Sequence, residues 1–385
     1  MLRPMTSDTT PIFDDIRAHA ARWLAAWDGQ GLHRTGTAGD MAGCAWLARE
    51  AAALGVAVET EEFVLDRLDP VSAFLELGGE RIAAVPVFDA PATDATGIAG
   101  HLGSEIAVAE LSPRAVYSGE YDRLRRGGGH RGLVILCTGD APGMGLFNAE
   151  SFRAPYGMPA VHVASEAREA VLDAAAHGAP ARLVADSRRT RATAGNVVVR
   201  LAGTNKGGPP LVVMTPRSSW WQSTAERGGG IVCWLECLRA LVNAPPARPV
   251  VFAATSGHEL GHLGLDDFVA RRPGWEESAT WVHWGANIGA AAGRLTVMSA
   301  SDDLRDLAAA QLADAGHPGA LAAKTAVPSG ETRDIHKKGG RYLTFVGTNK
   351  LFHLPQDRWP DAVDLAALAP IAAAATSIVL KLACG

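Results

Sequence analysis

The stretch PVVFAATSGHELGHLG, Pro249 to Gly264, decides how the rest of the chain is read. An apolar run, Val250 to Ala254, meets a Ser256-Gly257 turn and opens onto His258, Glu259 and His262. Two geometries give these residues different chemistry. On a helix, the HExxH spacing puts His258 and His262 one turn apart as metal ligands. Glu259 is then the general base, and a third ligand lies downstream at Glu276 or Glu277. At the end of a strand, the acidic residue instead faces the crevice where open α/β sheets bind ligands. Gly257, Gly261 and Gly264 interrupt what would have to be helix interior, so the pattern favours the strand end.

Outward from this stretch, strands and helices alternate. Strands are expected at Asn196 to Leu201, Leu211 to Met214, Thr280 to Trp284, Leu295 to Met298 and Tyr342 to Val346. Helices are expected at Gly230 to Val242, Leu260 to Arg271, Asp302 to Ala315 and Ala362 to Leu382. Towards the N-terminus, Phe13 to Trp27 carries apolar residues at helical spacing. Asp40 is a candidate cap for a second helix through Trp46 to Leu54, and a strand follows at Val56 to Leu65. From about Val71 the texture changes to short strands between Gly- and Pro-rich turns, ending near the basic run Arg188 to Arg191. The expectation is an α/β fold with a mostly parallel central sheet covered by helices on both faces. Residues 1–70 and 190–385 form its main domain, and 71–189 an inserted, mostly-β domain.

The composition narrows the function classes. At 385 residues, with 48% hydrophobic and 20% charged, the chain is globular with room for a large core. A formal charge of -5 with both signs interspersed gives no reason to expect nucleic acid or an anionic membrane as partner. The start has no apolar stretch behind Arg3, and no run reaches the roughly 18 apolar residues that span a bilayer, so a cytoplasmic protein is expected. The five cysteines are scattered, odd in number and without metal spacing, which fits reduced, mostly buried thiols. A homo-oligomer is left open.

NVVVRLAG (Asn196 to Gly203), Gly228 to Gly230, the strand ending in HELGHLG, and FHLPQD (Phe352 to Asp357) together resemble one family. It is the di-zinc aminopeptidases of metallopeptidase clan MH, whose relatives include glutamate carboxypeptidase-like enzymes and glutaminyl cyclases. The loop HRTGTAGD, His33 to Asp40, resembles the family's entry region, and YGMPAVHVASEA, Tyr156 to Ala167, its protease-associated insert. The likeness covers roughly residues 10–70 and 190–385, with the middle matching the insert.

The resemblance implies metal ligands only where residues match. The family's first ligand, the His of a His-x-Asp triplet, corresponds to Pro216, with Ser218 at the Asp. Its bridging Asp corresponds to Glu226 and its paired glutamates to His258 then Glu259. The next acidic ligand falls at about Ala286, with Asn287 and His283 nearby, and the final His is His353. One metal loses both private ligands, whereas the other keeps Glu226, Glu259 and His353. A single divalent transition metal is therefore expected, and two carboxylates with one imidazole suit zinc, manganese or iron.

On this reading His258 stands where the general base does, while Arg217 and Arg227 flank the vacated position and suit a substrate carboxylate. Trp220 and Trp221 read equally as a substrate wall or as core. His283 and His336 are candidates for the substrate pocket, or else a strand histidine bonded to backbone and a surface-loop residue shared with Asp334. His262 reads as a packed histidine unless the helical geometry holds. The leading expectation is a mononuclear metal-dependent hydrolase of a C-N bond, acting on an amide, a short peptide or an amine-bearing small molecule. The alternatives are a zincin-type peptidase using His258 and His262, and a metal-free binding protein that keeps only the fold.

Overall fold

The computed structural model describes residues 10–127, 129–205 and 208–385. The segment 1–9, on which the expectation of no signal peptide rests, lies outside the described residues. Two helices open the chain, α1 (Thr10–Asp28) and α2 (Ala38–Ala52). In α1 the helical spacing buries Ile16, Ala20, Trp23, Leu24 and Trp27. The cap of α2 is Thr37, whose hydroxyl accepts from the Asp40 amide, and not Asp40 as expected.

The strands and helices of the middle segment are β1 (Val58–Leu77), β2 (Glu80–Pro86), β3 (Thr93–Gly100), β4 (Ile106–Leu111), α3 (Gly119–Arg126), β5 (Gly132–Cys137), β6 (Ala160–Val163), α4 (Arg168–Ala176) and β7 (Pro180–Leu201). β1 and β7 pair antiparallel over almost their whole lengths, from Val58 with Val199 to Leu77 with Ala181. The ladder shifts register at Pro70/Ser72, where proline has no N–H to donate. The expected boundaries at 70 and 190 therefore fall inside one continuous ribbon. At its far end β3 to β6 add a parallel sheet with α3 and α4, so the inserted part is α/β and not purely strands.

The remainder supplies β8 (Leu211–Pro216), α5 (Gly229–Asn243), β9 (Val250–Thr255), α6 (Leu263–Ala270), α7 (Trp275–Ser278), β10 (Thr280–Trp284), β11 (Leu295–Met298), α8 (Asp302–Asp314), β12 (Ala320–Leu321), α9 (Thr332–Lys337), β13 (Arg341–Gly347) and α10 (Leu365–Cys384). β9, β8, β10 and β13 are parallel neighbours, flanked by antiparallel β7 and β11. The sheet is mixed, which corrects the expectation of a mostly parallel one.

Strand alternation sorts the core onto two faces. Val197, Val199, Leu211, Val213 and Phe252 meet α1, α2, α5, α8 and α10, whereas Val198, Val212, Met214 and Val251 meet α6, α7 and α9. The helix α10 is long and apolar enough to cross a membrane by length and composition, which corrects the sequence expectation that no segment is. Here it packs against α5, α1 and α8, burying Leu368, Ile371, Ala372, Ala375, Ile378 and Val379.

Between the chain's two halves lies a third apolar layer, in which Phe63, Phe88, Leu146 and Phe152 meet Trp220 and Leu260. That layer brings the inserted part over the carboxyl ends of β8, β9 and β10. In an open α/β sheet these ends, at the strand where successive connections diverge to opposite sides, are where the crevice forms.

Candidate active site

After β9 the backbone makes no helix across HELGH. Gly257, Gly261 and His262 all have positive φ, 87°, 75° and 63°, and His258–Leu260 is a single 3₁₀ turn, so α6 begins only at Leu263. The HExxH geometry is thereby excluded, and Glu276 and Glu277 sit in α7 before the amino end of β10, opposite the crevice. Glu259 turns away from both histidines. Its Oε1 accepts from the amide and the hydroxyl of Thr35, each at 2.7 Å, and its Oε2 from Ser218 Oγ at 2.6 Å. Burial, only partly opposed by those donors, holds its carboxyl above the usual range.

Ser218 also receives the Gly257 amide at 2.7 Å, so the loops after β8 and β9 are tied through one hydroxyl. Beside it, Arg217 is fully buried and committed elsewhere. Its Nη1 donates to Asp40 Oδ1 at 2.7 Å and to Asp40 O at 2.8 Å, and its Nη2 to Gly195 O. Arg217 is thus engaged by Asp40 and Gly195, with Nε left without a partner in a side chain that has no exposed surface, and the structure gives it a packing role in place of the catalytic one expected.

The loop after β8 ends in a π-type turn, Thr224–Gly228, entered through Ser223 at φ 50°. Such turns recur at functional sites because they re-aim side chains off the helical ladder. Here it delivers Glu226 and Arg227, both buried, into the crevice. Arg227 is anchored by Nε donating to Ser218 O at 2.7 Å, and its Nη2 lies 2.7 Å from Glu226 Oε1. The same carboxylate oxygen is 3.3 Å from His353 Nε2. The imidazole is fixed by Nδ1 donating to the Leu146 carbonyl at 2.6 Å. Burial would raise the Glu226 carboxyl, but Arg227 and His353 bring it down to about 2.

Asp357 supports this turn from beneath. It accepts the Ala225 and Glu226 amides at 2.7 and 3.0 Å, and burial, opposed by those bonds, still lifts its carboxyl to about 7.

On the other side of the crevice three histidines meet Glu331. His258 Nδ1 lies 3.9 Å from Glu331 Oε1, and His283 Nε2 lies 3.9 Å from Glu331 Oε2. His262 stands with its ring 5.0 Å from that of His258, and its Nδ1 is 2.6 Å from Asp334 Oδ2. Burial, reinforced by Arg227 and the neighbouring imidazoles, drives His258 well below the ordinary histidine range. His283 falls to about 3, from burial, His262 and Arg227. Burial raises the Glu331 carboxyl, which accepts from Thr255 Oγ1 at 2.7 Å. The result is a neutral imidazole beside a carboxyl that gives up its proton less readily than usual.

Of the proposed substrate residues, His283 alone faces this centre. Trp220 is packed on Phe88, ring centroids 4.5 Å apart, within the layer joining the chain's halves. Trp221 is partly buried and donates from Nε1 to the His353 carbonyl at 2.9 Å, a bond that positions the His353 loop. His336 lies on α9 against Tyr342, 3.2 Å from its hydroxyl, near the amino end of β13. Sequence reasoning missed Glu331, Asp357 and Asp40. Glu331 stands three residues before Asp334 in GETRDIHKKGG, and Asp357 closes the quoted FHLPQD, so the signal lay in motifs already noted.

A cavity of about 700 Å³ lies next to this centre, between the inserted part and the loop before α9. Tyr117, Tyr156, Glu150, Val327, Gly330 and Arg333 line it. Gly330, at φ 69°, separates cavity from histidines. A Cβ there would stand 3.1 Å from His283 Cε1 and 3.5 Å from His258 Cε1.

These features define an α/β fold of the zinc-aminopeptidase type with a buried polar centre at its strand ends. No protein-family model matches the chain, and no curated protein does. Solved structures do. A zinc aminopeptidase from Bacillus subtilis superposes with a TM-score of 0.77 at 18% identity, covering 96% of this chain and 95% of that one. A peptidase M28 precursor from Shewanella amazonensis SB2B gives 0.75 at 15% identity, with coverages of 97% and 96%. An aminopeptidase from Aneurinibacillus sp. strain AM-1 gives 0.72 at 15% identity, with coverages of 97% and 95%. At such identities the likeness establishes the fold.

The fold type raises the question of a metal, and the donor set answers it. A catalytic zinc site has three protein ligands. Among the described residues no group of three or more His, Cys, Asp or Glu is arranged to hold a metal ion. Of the expected ligands Glu226 and His353 converge, Glu259 is spent on Thr35 and Ser218, and Arg227 already neutralises the Glu226 carboxylate. The residues present do not fit the single-metal site expected from the sequence.

Proposed function

We propose that the chain is a hydrolase of a C-N bond, acting on an amide, a short peptide or an amine-bearing small molecule in the cleft above His258, His283 and Glu331. One observation carries this reading. Buried atoms without hydrogen-bond partners, His258 Nδ1, His283 Nε2, Glu331 Oε2 and Arg227 Nη1, gather at the carboxyl ends of β8 to β10 and the loop before α9. Buried polar groups are nearly always satisfied, so an unsatisfied set beside a cavity calls for a ligand. The likeness in fold to chains named aminopeptidases supports a peptide-like substrate.

His258 takes the proton of the attacking water as its oxygen adds to the carbonyl carbon. Arg227 stabilises the oxyanion that forms, a role in which a preorganised positive charge is worth most in a dry site. Glu331, whose carboxyl is raised by burial, acts in its protonated form and gives that proton to the leaving nitrogen as the C-N bond breaks. The proton on His258 then returns to Glu331 across the 3.9 Å that separates them, leaving the acid and amine products.

A second reading, a metal on Glu226 and His353, is favoured by the Leu146 carbonyl, which fixes Nδ1 as the donor and aims Nε2 at the carboxylate, as outer-shell partners of metal histidines do.

The test is turnover of a panel of aminoacyl p-nitroanilides, amides and dipeptides by the wild type and by Glu331→Gln and His258→Asn, each with and without a strong chelator. The proposal expects chelator-insensitive hydrolysis that falls by about 10²-fold or more in either variant. Chelator-sensitive hydrolysis turns the reading to the metal. Ligand binding without turnover across the panel refutes the hydrolase and leaves a binding protein.

A further inference from the structure

Glu226, Arg227 and His353 occupy the heart of the crevice, and their arrangement says what kind of cation it holds. All three side chains are 0–1% exposed. A carboxylate this deep needs a positive partner, because an unpaired buried charge is among the costliest features a fold can carry. Two partners are available in principle, a metal ion or a side chain. The side chain is there. Arg227 Nη2 stands 2.7 Å from Glu226 Oε1, and the guanidinium is not a floppy visitor, since its Nε donates to Ser218 O at 2.7 Å. That anchor rests in turn on the hydroxyl of the same Ser218, which bridges Glu259 and the Gly257 amide.

We infer that Arg227 is the resident cation of this centre, standing where a metal ion would otherwise bind Glu226 and His353 and keeping that ion out. Guanidinium suits the task. It is planar, permanently charged and weakly hydrated, so it tolerates burial and leaves one edge free. Neither terminal nitrogen of this fully buried side chain has a hydrogen-bond partner, and Nη1, the one outside the 2.7 Å ion pair with Glu226, is that edge. It presents positive charge to the cleft, and the group it receives is an oxygen bearing negative charge, the developing oxyanion or the carboxylate of a bound ligand. The inference rests on the reading of the buried centre as the functional site, not on the reaction assigned to it.

The consequence is that metal binding is latent in the wild type and appears when the guanidinium is removed. The experiment compares wild type, Arg227→Ala, Arg227→Gln and the double variant Arg227→Ala/Glu226→Gln. Each is equilibrated with zinc, desalted, and measured for metal content by plasma mass spectrometry and for melting temperature with and without zinc. The expected result is no bound zinc and no zinc-dependent shift in wild type. With Glu226 and His353 as two protein ligands, zinc content above that of wild type and a zinc-dependent rise in melting temperature are expected in Arg227→Ala or Arg227→Gln, both abolished by the added Glu226→Gln. Arg227→Gln, which keeps the size of the side chain, is read in the same way if the alanine variant does not fold.

Zinc held by the wild type, or zinc uptake by the Arg227 variants that survives the added Glu226→Gln, overturns the inference. So does failure of every folded Arg227 variant to take up zinc, since the guanidinium would then not be what excludes it. A zinc-free wild type that hydrolyses nothing removes the proposed reaction but leaves this inference standing, so the two fail separately.

Discussion

Replacing Arg217 by methionine separates a structural from a catalytic arginine. Arg217 and Asp40 are both 0% exposed. The guanidinium makes three bonds, two to Asp40 and one to Gly195 O. Methionine keeps the stem but leaves Asp40 with only the Gly36 amide at 2.8 Å and Ser256 Oγ at 3.0 Å as donors. Breaking a buried pair by removing one partner costs about 3–5 kcal/mol. With about 2.1 cal/mol/K of unfolding entropy per residue over 385 residues, that is a fall of about 4–6 °C in melting temperature. Asp40→Asn strands the guanidinium and is expected to cost a similar amount. The double variant strands neither charge, so it loses less than the sum, by about 1–3 kcal/mol. Denaturant titrations of the four proteins give the cycle, and ligand affinity of the folded variants is expected to stay near that of wild type. A loss below about 1 kcal/mol in Arg217→Met, strict additivity in the cycle, or collapse of turnover at unchanged stability each refutes the structural role.

Three further outcomes are expected. Gly330→Ala places a Cβ 3.1 Å from His283 Cε1 at φ 69°. Left-handed strain of about 1–2 kcal/mol leaves the fold intact, but displacement of His283 and His258 lowers ligand affinity or turnover by about 10-fold or more, as titration or kinetics will show. His162 is buried, and that burial, helped by Arg125 and His353, pushes it down to about 3. A depressed histidine contributes stability that is present above the unfolded value near 6.5 and is lost as pH falls towards 3. His162→Leu is therefore expected to flatten stability against pH by about 1.4 kcal/mol per unit in that window, read from denaturation midpoints. Cys384 is the exposed thiol whereas Cys44, Cys137, Cys233 and Cys237 are buried, so a maleimide should label one site in the native protein and five after denaturation.

Much of this fold was legible because its elements announce themselves locally. The glycines of SGHELGHLG favoured a strand end over a helix, and Gly257 and Gly261 indeed take positive φ. The spacing that predicted α1, α5, α8 and α10 needs only a few turns of chain. The β1–β7 ribbon was not legible. Its middle, from Asp66 to Arg191, is solvated and charged, so a continuous strand reads as a boundary. For the site, motif position alone brought Glu226 and His353 together. It did not foresee that Glu259 is engaged by Thr35, because that partner lies 224 residues away in HRTGTAGD, a motif that carries no sign of which carboxylate it meets. The same distance hid Arg217, whose side chain is directed by Asp40 from 177 residues away.

The polar substitutions in the crevice make sense as a set. Pro216 and Ser218 stand where the resemblance places a histidine and an aspartate, and the carboxylates around them are engaged by side chains of this chain. Ser218 closes on Glu259, Arg227 closes on Glu226, and Arg217 closes on Asp40. A site decaying without constraint would be expected to strand buried charges at random, each costing several kcal/mol. Here each of these three carboxylates has found a partner, and those pairs form the walls. Around the cleft itself a set of buried atoms is left without hydrogen-bond partners, among them His258 Nδ1, His262 Nε2, His283 Nε2, His353 Nε2, Glu331 Oε2 and the terminal nitrogens of Arg227. Marginal stability makes that division informative, since a fold that holds only about 5–15 kcal/mol in reserve does not retain several unsatisfied groups beside a cavity without a return. The economical account is that ligand binding completes them.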